Sequence, residues 1–172
     1  MIKTIYLAGG CFWGVEHVFK NTKGVVSTEV GYAQGHVENP TYEQVCSGNS
    51  NHTEVVKLNY DTSKIALSKL LSIYAIIVDP VTLNKQGNDE GTQYRSGIYY
   101  EDINDEQAIN EFIKEWQTFV IENIVVEVEP IKKYYTAEKE HQAYLTKNTN
   151  GYCHINMPQI IQILKKENLY NG

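Results

Sequence analysis

Residues 2–8 are apolar at most positions and stop at Gly9-Gly10, which predicts a strand ended by a glycine break. Phe12, Val15, Val18 and Phe19 follow near helical spacing, and Lys23-Gly24 closes that helix. Residues 25–32 read as a second strand. Residues 33–52 are polar and punctuated by Gly, Pro and Asn, so they read as a loop long enough to suggest a functional role. Residues 54–60 alternate like a half-buried strand. Asp61-Thr62-Ser63 offers an N-cap for an apolar helix from Ile65 to Val78, stopped before Pro80. A second polar loop covers 79–96 and a short strand covers 97–100. Residues 105–121 predict an amphipathic helix with Ile109, Phe112, Ile113, Trp116 and Val120 on one face. A further strand is expected over 124–128, with short helical pieces near 138–146 and 158–168.

The core order is strand-helix-strand twice over. It suits an α+β fold, a ferredoxin-like two-layer α/β sandwich with additional irregular C-terminal segments. The chain of 172 residues shows no repeat or linker, so one domain over 1–172 is expected.

Charge narrows the partners. Fifteen basic and 21 acidic residues are mixed along the chain for a net −6, which argues against a nucleic-acid partner. No apolar run approaches the ~18–20 residues of a membrane span. The apolar stretch at residues 1–8 is too short for an export signal and is read as a strand, with a cytoplasmic location expected. Three cysteines, Cys11, Cys46 and Cys153, form an odd and sparse set, which points to free thiols in a reducing compartment. No C-x-x-C is present, and Asn51-His52-Thr53 is read as an accidental glycosylation sequon.

Cys11 stands in Gly9-Gly10-Cys11-Phe12-Trp13-Gly14, after a strand and at the start of a helix. Backbone N–H groups and the helix dipole at such a point favour an anion, so a thiolate is expected to form there more readily than on a free thiol. The glycines allow tight backbone geometry and leave room for a ligand. Phe12 and Trp13 read equally well as core aromatics or as an apolar wall beside a nucleophile. The segment lacks the glycine pattern of a phosphate cradle.

These residues and several later segments together resemble the methionine sulfoxide reductase A family. The matching stretches, in order, are Gly9 to Gly14, Asn39-Pro40-Thr41-Tyr42, Val45 to Gly48, His52 with Glu54, Asp79-Pro80, Thr82 to Asn84, Gln86 to Asp89, Gly91 to Ser96, His141-Gln142 with Tyr144-Leu145, and Gly151-Tyr152-Cys153. The resemblance implies Cys11 as nucleophile, Phe12 and Trp13 as the pocket for the substrate methyl, and Glu54 as proton donor. It implies Tyr42 and Tyr94 as donors to the sulfoxide oxygen, Asp89 as a supporting acid and Cys153 as the resolving cysteine.

It further implies reduction of methionine S-sulfoxide, free or in proteins, through a Cys11 sulfenic acid and a Cys11–Cys153 disulfide recycled by thioredoxin. No cofactor, metal, nucleic acid or membrane is implied, and the chain is expected to be monomeric. An acid is required because oxide is a poor leaving group, so Glu54 is expected to have a raised pKa and to share one proton with Cys11. Cys46 is read as a packing thiol near the site. The chain departs from many members at Asn51, Thr53, Val78 and Lys85, and no cysteine follows Cys153.

Two other readings remain at this stage. A cysteine hydrolase would need one of His17, His36, His52, His141 or His154 as base beside Cys11. A metal-binding module would need a Cys/His pair at zinc-like spacing, and none is present.

Overall fold

The computed structural model describes residues 1–172. The chain runs β1 (Ile2–Ala8), α1 (Phe12–Lys20), β2 (Val25–Ala33), α2 (Tyr42–Cys46), β3 (Thr53–Asp61), α3 (Leu67–Ile77), β4 (Lys85–Gln86), β5 (Asp89–Glu90), β6 (Gly97–Tyr100), α4 (Glu106–Gln117), β7 (Glu127–Pro130), β8 (Tyr134–Thr136), α5 (Tyr144–Lys147) and α6 (Met157–Lys166). Six strands form one mixed sheet in the order β7-β6-β1-β3-β2-β8, and β4 and β5 form a small hairpin apart from it. Only β6 and β7 pair in parallel; the inner strands are antiparallel. It is a mixed α/β fold, and no helix is long and apolar enough to cross a membrane.

Strand alternation separates two faces. Ile5 and Leu7 of β1, Val30 and Tyr32 of β2, and Val56 and Leu58 of β3 join the main core with α1, α3 and α6. Tyr6, Ala8, Ala33, Val55 and Tyr99 form a smaller cluster on the opposite face, against Ile131 and Tyr134. Leu7 pairs with Val56 across β1 and β3, and Tyr32 pairs with Glu54 across β2 and β3. Glu54 therefore shares the helix-covered face of Val56, two residues before it in β3 and toward the point where β1 gives way to α1. The Tyr74 hydroxyl of α3 donates to the Ala8 carbonyl at 2.6 Å and accepts from the Gly97 amide at 3.1 Å. That buried phenol ties α3 to the ends of β1 and β6 just before Gly9.

Several predicted boundaries move, each for a visible reason. The 33–52 stretch contains α2, whose N-cap Thr41 and third residue Gln44 exchange side-chain and backbone hydrogen bonds in a capping box. Asp61 does not cap α3. Its carboxylate takes the Ser63 amide and hydroxyl at 3.0 and 2.7 Å in a local turn, and the helix starts at Leu67 without a side-chain cap. The amphipathic helix ends at Gln117, whose side chain bonds the Val120 and Glu122 carbonyls and the Ile124 amide. Ile124 and Val125 are therefore occupied by Gln117 and Pro80, and ladder pairing starts only at Glu127 beside Gly97. Residues 134–136 form β8, an edge strand the sequence reading missed.

Candidate active site

Cys11 is the N-cap residue of α1 and is 5% exposed. Gly10 enters it with φ +89°, and a Cβ there would lie 2.7 Å from Gln86 Cβ and 2.9 Å from His154 Nε2, so only glycine fits. The Phe12 amide at the first turn of α1 donates to Glu54 Oε1 at 3.1 Å. The helix start thus receives the β3 carboxyl beside the sulfur. The other oxygen, Glu54 Oε2, is buried and has no hydrogen-bond partner.

Electrostatics follow from that burial. Glu54 is 1% exposed, and burial pushes its pKa up to about 8; the Asp89 charge adds to this and the Phe12 amide opposes it. At neutral pH the carboxyl holds its proton. For Cys11 the outcome differs from the sequence expectation. The Trp13 amide reaches the sulfur and lowers the thiol pKa as a helix start should, but burial and then the Glu54 and Asp89 charges raise it far more. A short helix end does not replace the lost water when two carboxyls stand nearby. Burial therefore favours the neutral thiol, against the thiolate that the helix start alone would favour.

The remaining candidates come from four separate segments. Tyr42 opens α2, anchored by its own amide to Glu138 Oε2 at 2.8 Å. Tyr94 ends a 3₁₀ turn at Thr92–Tyr94, and Thr53 holds that turn by donating to the Gln93 and Arg95 carbonyls at 3.1 and 2.9 Å. Burial raises the pKa of both phenols, and the Glu54 charge adds to it, so both remain donors. Asp89 of β5 accepts from the Tyr152 hydroxyl at 2.8 Å. Cys153, half-buried, sits where a Cβ on Gly14 would come within 2.7 Å of its sulfur. All three thiols are free.

Phe12 is buried and Trp13 partly so. Trp13 stacks on Tyr144 at 3.8 Å and 12°, and its Nε1 donates to His141 Nδ1 at 3.2 Å. His141 also meets Phe12 at 5.6 Å and Tyr42 at 4.4 Å between centroids. The fold therefore brings together Cys11, Phe12, Trp13, Tyr42, Glu54, Asp89, Tyr94 and Cys153. His141 and Tyr144, matching positions in the sequence, complete the aromatic wall, a role no local pattern signals. Glu138, which nothing in the sequence singles out, accepts from both the Tyr32 hydroxyl and the Tyr42 amide. Cys46 lies beside Tyr42, near the site as expected, but it is exposed and so is not a packing thiol. Of the departing positions, Val78 fills the space over Gly9 and Thr53 supports the Tyr94 turn.

The geometry chooses between the readings left open by the sequence. A hydrolase needs a histidine bonded to its nucleophile, yet His141 accepts from Trp13, His154 bonds the Gly9 carbonyl, His52 is engaged by Gly35 and Val37, and none bonds Cys11. A proton-bearing carboxyl against a buried thiol, with a second thiol on a neighbouring segment, defines a thiol-based oxidoreductase.

Comparison with known proteins makes this specific. The family model described as "Peptide methionine sulfoxide reductase" matches residues 3–171. The peptide methionine sulfoxide reductase MsrA of Clostridium perfringens is 54% identical over 156 residues, covering 91% of this chain and 99% of the relative. Methionine sulfoxide reductase A of Corynebacterium diphtheriae superposes with a TM-score of 0.85 at 41% identity, covering 88% of this chain and 77% of that one. Mxr1 of Saccharomyces cerevisiae in its reduced form gives 0.84 at 39% identity, with 88% of each chain covered. Mxr1 in complex with Trx2 gives 0.55 at 26% identity, covering 83% of this chain and 84% of that one. The chain belongs to the peptide methionine sulfoxide reductase family.

Proposed function

We propose that the chain reduces methionine S-sulfoxide, free or in proteins, with Cys11 as nucleophile and Cys153 as resolving thiol, and that thioredoxin returns it to the reduced state. The family membership carries the reaction class. The observation that carries the residue roles is the buried Glu54 carboxyl, bonded to the first-turn amide of α1 and left with one free oxygen.

In this reading the substrate methyl lies against Phe12 and Trp13, and Tyr42 and Tyr94 donate to the sulfoxide oxygen. Glu54 gives that oxygen its proton. The Cys11 sulfur attacks the substrate sulfur, and its thiol proton passes to the Glu54 carboxylate, which restores the acid. The hydroxyl then moves to Cys11 as the transient S–S bond breaks. Methionine leaves, reduced by two electrons, and Cys11 is a sulfenic acid. Cys153 attacks next, a disulfide forms and water departs. Asp89 supports the site by holding Tyr152 beside Cys153. Thioredoxin opens the disulfide by thiol exchange, as the complex of Mxr1 with Trx2 leads one to expect.

The strand order β6-β1-β3-β2, with α1 and α3 as crossovers, supports a ferredoxin-like two-layer core to which the other strands are appended. We also read residues 1–172 as a single domain acting as a monomer in the cytoplasm, where free thiols persist.

Replacing Cys153 tests the cycle. Cys153→Ser is expected to release about one methionine per chain and then stop with thioredoxin as reductant. Parent protein turns over steadily. Sustained thioredoxin-driven turnover by the variant, followed as methionine formed against time, would remove Cys153 from the resolving role.

A further inference from the structure

The segment that carries Cys153 is held to the site by Asp89 and by the Gly9 carbonyl. Asp89 Oδ1 takes the Tyr152 hydroxyl at 2.8 Å, and Asp89 Oδ2 lies 3.5 Å from His154 Nδ1. The His154 side chain is 4% exposed, and its other nitrogen, Nε2, is 2.9 Å from the Gly9 carbonyl. A carbonyl accepts only, so Nε2 carries the hydrogen in that bond. In a neutral ring Nδ1 would then present a lone pair to a carboxylate oxygen, with both atoms buried and neither in a hydrogen bond. The contact becomes favourable if a further proton lies between them; burial opposes a charged ring and lowers its pKa, whereas the Asp89 charge and the Gly9 carbonyl favour the proton.

We propose that Asp89 and His154 hold one proton between them, and that this pair positions Cys153 and supplies the proton with which water leaves when Cys153 resolves oxidised Cys11. The inference rests on the reading of Cys11 and Cys153 given above. His154 follows Cys153 in the chain, and its Nε2 abuts the Gly10 backbone that leads into Cys11. It therefore stands between the segments bearing the two sulfurs. In the resolving step the Cys153 sulfur bonds to Cys11 and the Cys11 S–O bond breaks. The departing hydroxide takes the stored proton, and the Cys153 thiol proton refills the pair. Cys153 is oxidised as Cys11 sulfenic acid is reduced, so no outside oxidant is needed.

The titratable groups that face the pair are Tyr152 and Cys153 on its own segment, Cys11 at the start of α1, and Glu54 beyond Asp89; Lys85 on β4 is exposed to solvent. Glu54 serves the oxygen of the incoming substrate, whereas this pair serves the later departure of water. His154 is in this account a positioning and proton-holding residue, not a contact of the substrate.

The experiment is a single turnover with one equivalent of methionine sulfoxide and no reductant. Released methionine and the loss of both thiols are timed separately by rapid quench, across pH. His154→Gln keeps a neutral donor for Gly9, His154→Asn keeps one for Asp89, and neither can hold the shared proton. Both are expected to release methionine within about twofold of the parent rate and to form the disulfide at least about tenfold more slowly. The parent disulfide rate should fall on the alkaline side as the pair loses its proton, and both variants should lack that limb. Tyr152→Phe removes the exposed contact with Asp89 but leaves the pair, so it should keep the limb. The proposal is overturned if either His154 variant closes the disulfide at the parent rate with the parent pH profile, if methionine release slows in parallel with closure, or if Tyr152→Phe loses the limb. Failure of the parent itself to release methionine would instead overturn the reading of the enzyme on which the proposal rests.

Discussion

Cys11→Ser is expected to release no methionine above the buffer background, with either dithiothreitol or thioredoxin as reductant. Sulfur can accept the substrate oxygen and pass it on as water because a sulfenic acid is a reversible oxidation state of cysteine. A serine hydroxyl has no corresponding state. The substitution is near in shape, so the Phe12–Glu54 contact and the start of α1 should survive. Loss of activity would then come from the missing sulfur rather than from a collapsed site. Methionine quantified by chromatography after overnight incubation checks this; turnover above background by the variant would contradict the assignment.

Glu54→Gln is the second large effect, expected to slow methionine release about 10²- to 10³-fold. The amide keeps an oxygen for the Phe12 amide but has no acidic proton. Burial decides the magnitude. With a pKa near 8 the carboxyl is roughly nine-tenths protonated at neutral pH, against roughly 0.3% for a glutamate at its ordinary value. The shift alone multiplies the competent acid by about 300. Because the protonated form is the active one, parent activity should hold below about pH 8 and fall about tenfold per pH unit above it. The variant should lack this limb. A pH profile of single-turnover methionine release separates the cases, and an unchanged alkaline limb in Glu54→Gln would assign the proton to another group.

The strands that place these residues were legible because each is a short apolar or alternating run bounded by glycine or polar residues, as in 2–8, 25–32 and 54–60. The residues 79–96 were harder: β4 and β5 are two-residue strands, and the Tyr94 turn is held by Thr53 from a distant strand, so no local period marks them. The 134–136 edge strand was missed because its pairing with β2 lies in tertiary contact alone.

At the site, the motif around Cys11 was informative because a thiol, a glycine break and a helix start are contiguous. Its protonation state was not, since burial and the charges of Glu54 and Asp89 reach it from two other segments. His141 and His154 carried no distinguishing local signal. Their partners lie 128 and 145 residues away in the chain, at Trp13 and Gly9.

One measurement bears most directly on the transfer of oxygen between sulfurs. Cys153→Ser protein would be mixed with methionine sulfoxide carrying heavy oxygen, trapped with a sulfenic acid reagent, and digested for mass spectrometry. The account predicts one heavy oxygen per chain on the peptide containing Cys11, matched by one methionine released. Methionine release with the label absent from Cys11, or found on Cys46, would contradict it.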